Sequence, residues 1–251
     1  MAPFDTSRDK VLWAEKRLKE LIWEVQGFSS RRPYVRIIEP DTDRPHLLAH
    51  KIKLTEDIPP STVNLAGEVI HALRTALDNA VFDIAVASGV SDPRNAAFPF
   101  AATINDMASA LGRCKDVPIT LHPFFCGLQP YWEGNDCLWG LNKLSNTDKH
   151  RILQPFGTGA VQKRGAFEGT GGGPVEMPDP PVWDSHKNEM IVLIVGKDVQ
   201  VKYQLDFGLY VAFSLPEFHG QSVLEELAAM VTTVHRTLVS MEAEARRQRI
   251  L

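Results

Sequence analysis

Four side chains on one predicted helix, His71, Arg74, Thr75 and Asp78, are spaced by three, four and seven residues. At about 100° per residue they share one arc opposite an apolar stripe. A guanidinium, a carboxylate and an imidazole on one face can hold an anion or steer a proton. They can also form nothing more than a solvated i,i+4 pair, Arg74–Asp78, worth about 0.3–0.5 kcal/mol. A second polar run lies within LWGLNKLSNTDKHRIL: Asn142, Asn146, Asp148, Lys149, His150 and Arg151, set among the aliphatic anchors Leu138, Leu141, Leu144 and Ile152. If the two surfaces meet, His150 supplies a near-neutral base and Asp78 a carboxylate to orient it. Arg74, Lys149 and Arg151 then supply cations for an anionic or phosphorylated molecule, and His71, Asn142 and Asn146 add polar contacts. The plain alternative is a helix end whose Lys149, His150 and Arg151 serve its own last carbonyls.

The elements that must position these groups follow from periodicity and punctuation. Val11, Ala14, Leu18, Leu21, Ile22 and Val25 predict a first helix from Ser7 to Gly27. Tyr34–Ile38 and His46–Thr55, joined by a polar turn, predict a hairpin. A long helix is expected from Ser61 or Asn64 to Ser88, with Gly89 ending it. Ile104–Leu111 and Asp136 to about Leu153 predict two shorter helices. Residues 154–184 hold seven glycines and five prolines and predict a long loop, suited to a lid. Met190–Val195 and Val199–Ser214, around Gly196-Lys197-Asp198, predict a second hairpin, and the capping box Ser222 to Glu225 opens a final helix. Hairpins separated from helices give an α+β fold, taken as a single domain over 1–251 with the loop 154–184 as an insertion.

Other chemistry finds less support. His46 and His50 would face the same way on a strand, but no local Cys, Asp or Glu completes a metal site. The run Gly169 to Gly173 lacks the Lys-Ser/Thr of a phosphate loop. Cys114, Cys126 and Cys137 cannot pair completely and form no C-x-x-C, so neither a disulfide framework nor a zinc knuckle is expected. No metal and no particular cofactor is implied. The 251 residues carry a net charge of −4, with a pI near 6.1, which argues against nucleic acid as the main partner. The longest aliphatic run, Ile191–Val195, is far short of a membrane span, and the first residues carry no secretory pattern. A cytoplasmic protein is the expectation, with homo-oligomer formation left open.

His71–Val81 (HALRTALDNAV) and Leu138–Leu153 (LWGLNKLSNTDKHRIL) have Phe98-Pro99-Phe100 and Leu128-Gln129-Pro130-Tyr131 between them. Together these segments resemble a family of bacterial and phage proteins of similar layout, with no established activity. The resemblance covers about residues 60 to 155 and implies a bacterial or phage origin and weight on Arg74, Asp78, Asn146, Lys149 and His150. A weaker similarity is to the helical HEPN ribonucleases, marked by an Arg and a His four to six residues apart on one helix. Here His71 precedes Arg74 by three and His150 adjoins Arg151, so that mark is missing. Two functional readings result. One is a binding or interaction protein with a polar inter-helix site for an anionic or nucleotide-like ligand. The other is a metal-independent hydrolase or nuclease-like enzyme using His150 with Arg74, Asp78 and Lys149.

Overall fold

The computed structural model of the protein describes residues 2–147, 153–158, 168–170, 173–178, 183–184, 187–202, 208–213, 215–218 and 221–251. The chain is α+β. Its contacts gather in two units, one of Met1–Ile22, Ser61–Ile152 and Val223–Leu251, the other of Trp23–Pro60 and Leu153–Ser222.

The first unit is helical. It takes most of α1 (Asp5–Ser30), α2 (Pro60–Ala87), α3 (Met107–Arg113), α4 (His122–Gly127), α5 (Asp136–Ser145) and α6 (Val223–Arg247). Pro60 starts α2, its fixed φ preset for a first turn and its missing N–H not needed there. Gly89, at φ 94°, ends the run in the left-handed region open to glycine. Between them Val69, Ile70, Leu73, Leu77, Val81 and Ile84 are buried, the core stripe read from the sequence. Buried Leu227, Val234, Leu238 and Met241 do the same for α6.

Two helix ends differ from expectation. Gly27 does not stop α1, which continues to Ser30. The Ser30 hydroxyl and the Arg31 guanidinium both donate to the Gly27 carbonyl, at 2.9 and 3.2 Å, and so satisfy the end of the longer helix. In the opposite sense α5 stops at Ser145 and does not reach Leu153, which already belongs to a strand. Asn146 caps it, with its amide donating to Asn142 Oδ1 at 3.3 Å, and the Thr147 hydroxyl donates to the Lys143 carbonyl at 2.8 Å. Short polar side chains here satisfy the last turn locally instead of continuing it.

The second unit is built on strands. β1 (Tyr34–Pro40) and β2 (Leu47–Leu54) form the expected hairpin, and β2 also pairs antiparallel with β7 (Glu189–Gly196). The sheet is completed by β5 (Val175–Glu176) and β6 (Trp183–Asp184), both antiparallel to β7. β3 (Leu153–Thr158) pairs with β9 (Gly208–Phe213), and β4 (Glu168–Thr170) with β8 (Gln200–Lys202). Stretch 154–184 therefore carries strand segments in its described parts. Gly196-Lys197-Asp198 does turn, with Val199 N–H donating to the Gly196 carbonyl at 3.0 Å. The two flanking strands nevertheless pair elsewhere, so the second hairpin is not formed among the described residues. The reason lies in β7: its apolar run EMIVLIVG is buried nearly throughout, as suits an interior strand with partners on both edges. Its side chains join Phe28, Ile52, Leu54 and Trp183 in one core. A Cβ on Gly173 would stand 2.7 Å from Val199 Cγ2 and 3.3 Å from Gly196 Cα. A side chain there would crowd Val199 and the Gly196 backbone, so this glycine serves close packing.

Candidate functional site

Burial of the α2 stripe leaves Arg74, Thr75 and Asp78 half-buried and His71 exposed on the remaining arc. Asp78 Oδ1 accepts two bonds, from Arg74 Nη1 at 3.1 Å and from the Phe98 backbone N–H at 2.8 Å. The central carbon of the Arg74 guanidinium lies over the Phe100 ring, 4.1 Å from its centroid, a cation–π contact. Phe98 in turn packs on Phe100 and on the edge of Phe125, with centroids 4.6 and 5.8 Å apart. One residue upstream, the Cys114 thiol donates to the Ala97 carbonyl at 3.0 Å. The rigid Phe98-Pro99-Phe100 segment is thus strapped along α2 by Asp78, Arg74 and Cys114 together.

These bonds define the electrostatics. Burial raises the Asp78 carboxyl above its ordinary value, against the pull of Arg74 and the Phe98 N–H. Burial likewise lowers Arg74, with Asp78 opposing, and raises the Cys114 thiol, which is therefore no activated nucleophile. Arg74 spends one N–H on Asp78 and one face on Phe100, and it has no other partner among the described residues. Its side chain is 22% exposed. The remaining donors of this largely desolvated cation are unspent among the described residues.

The two surfaces singled out in the sequence are not joined by any hydrogen bond or ion pair among the described residues. Asn142 and Asn146 bond each other, on a helix that packs on α6. Asn146 is the C-cap of α5 and not one of its helical residues. Asp148, Lys149, His150 and Arg151 lie outside the described residues. His46 falls in the turn before β2 and is exposed, whereas His50 is buried with Nδ1 3.0 Å from Arg36 Nη2, so the two do not form a metal-binding pair. Burial first, and the Arg36 charge second, lower the His50 imidazole. Among the described residues no three His, Cys, Asp or Glu side chains group to hold a metal, and the three cysteines are free. No described helix is long and apolar enough to cross a membrane.

Sequence reading missed a cleft of about 220 Å³ on the helical unit, where the first half of α1 meets the second half of α6. The available signal was two apolar residues off their stripes, Leu12 on α1 and Val239 on α6, 61% and 56% exposed. Comparison of the chain with family models, curated proteins and solved structures finds no match.

Proposed function

We propose that the protein is a ligand-binding, non-catalytic protein whose α2 face receives an anionic or nucleotide-like small molecule. The observation that carries this reading is Arg74: a guanidinium stacked on Phe100, mostly removed from water, and given a single carboxylate oxygen by the protein. A planar cation with unspent donors on an aromatic base suits a carboxylate or phosphate, which it can bind through two parallel bonds. Asp78 favours binding over catalysis, because its Oδ1 is already committed to Phe98 and Arg74 and its task is to hold the 97–100 segment. Any part of Lys149, His150 and Arg151 in this reading rests on the sequence alone, and the likeness to bacterial and phage proteins supplies the biological setting.

The test is thermal unfolding of the full chain against inorganic phosphate, AMP and ATP. A ligand present at 100 times its Kd stabilises the fold by about 2.7 kcal/mol. The expected result is a saturable rise in Tm with at least one of these anions, abolished by Arg74→Lys, which keeps the charge but loses the planar fork. A rise of equal size in the variant, or none in the wild type, contradicts the proposal.

A further inference from the structure

The α1–α6 cleft lies wholly within the helical unit and uses none of the residues of the Arg74 site. Arg8 of α1 and Glu242 of α6 form an ion pair at one level of it. Seven residues span about 10 Å of helix axis. Residues up to Glu15 on α1 and back to His235 on α6 therefore line one small cleft only if the two helices run in opposite directions. Three layers follow from that register. The Arg8–Glu242 pair closes one end, Leu12, Leu238 and Val239 form the apolar middle, and Glu15 and His235 stand at the other end.

The two ends differ in charge. Arg8 and Glu242 cancel, and Arg246 also bonds Glu242 at 2.8 Å, so these bonds hold its carboxyl below the ordinary range. Glu15 is half-buried and has no hydrogen-bond or ion-pair partner among the described residues, and neither has the exposed His235. The cleft thus presents apolar walls and one uncompensated carboxylate. A cation satisfies that carboxylate, and an apolar body covers Leu12 and Val239, which are otherwise left in water. Its volume lies below the roughly 300–1,000 Å³ of sites that take drug-sized ligands, which suits a molecule smaller than a nucleotide.

We propose that this cleft binds a small amphiphilic amine, its apolar body against Leu12, Leu238 and Val239 and its ammonium on the Glu15 carboxylate. Titration calorimetry on the full chain with benzylamine, benzyl alcohol and benzoate tests it, since the three probes share a ring and differ in the head group. Benzylamine is expected to bind at least about tenfold more tightly than the other two, a difference of about 1.4 kcal/mol. Glu15→Gln should reduce it to the level of the alcohol while leaving Tm unchanged, because Glu15 supports no other group. Val239→Trp, which fills the cleft from its rim, should abolish binding of all three. Four results overturn the proposal: no binding of benzylamine, equal or tighter binding of benzoate, unchanged binding in Glu15→Gln, or a dimer in sedimentation that Val239→Glu dissociates. The last would show that a second copy of the chain covers this face. Because the α2 reading rests on Arg74 alone, each proposal can fail without the other.

Discussion

Asp78 carries more structure than its type and spacing announce. An i,i+4 partner for Arg74 is legible in the sequence, but the bond from the Phe98 N–H crosses 20 residues and depends on how the 97–100 segment folds back. Phe98 is buried, so deleting the acceptor strands an N–H away from water. Asp78→Ala should therefore cost about 1–3 kcal/mol in urea unfolding, whereas Asp78→Asn keeps an oxygen for both donors and should cost less. The pH dependence distinguishes the two further. Burial raises the folded carboxyl above its unfolded value of 3.8, so the folded state binds the proton more tightly. The wild type should then lose stability relative to Asp78→Asn as pH rises from about 4 through the folded value, with the contribution fully present below the unfolded one. A difference that grows in the opposite direction would show that the Arg74 ion pair dominates over burial.

At the scale of elements, the helices and the first hairpin were legible and the partners of the later strands were not. The stripe of α2 and the glycine that ends it are local signals, and the structure reproduces them within a residue or two. Gly27 and the Ser145-Asn146-Thr147 segment were misread because the deciding bonds are made by side chains, Ser30 and Arg31 in one case and Asn146 and Thr147 in the other. The turn at Gly196 was visible, but the choice of β2 over β8 as partner for β7 is made by long-range packing. β2 also brings Lys51 to Glu189. The Lys51 ammonium is 3% exposed and bonds Glu189 at 2.7 Å and Glu39 at 2.6 Å. Burial opposes its charge, yet the two carboxylates outweigh burial and hold its value above the ordinary one. Lys51→Ala, which leaves Glu189 buried without its cation, should cost about 3–5 kcal/mol in chemical unfolding. The double change Lys51→Met with Glu189→Leu should recover most of that loss, because matched apolar residues replace buried pairs at little cost. A double variant no more stable than the single one would mean that the ions have a role beyond packing.

At the scale of the molecule, the helical unit draws on three separate segments and the strand unit on two. α1 itself contributes Val11 to Leu21 to the first unit and Phe28 to the core of the second. Neither unit is a contiguous piece of sequence, which is why composition and linker signals gave no boundary to read. The helical unit holds every described residue of the candidate site, and the clearest feature there is a stacked guanidinium with donors to spare. The most direct measurement is an NMR titration of the arginine Nε–Hε resonances of the full chain with ATP and inorganic phosphate, with Arg74 assigned through Arg74→Lys. Saturable movement of the Arg74 resonance, with its Hε protected from exchange in the bound state, is the predicted result. An Arg74 resonance that stays in place while other arginines respond would contradict the account.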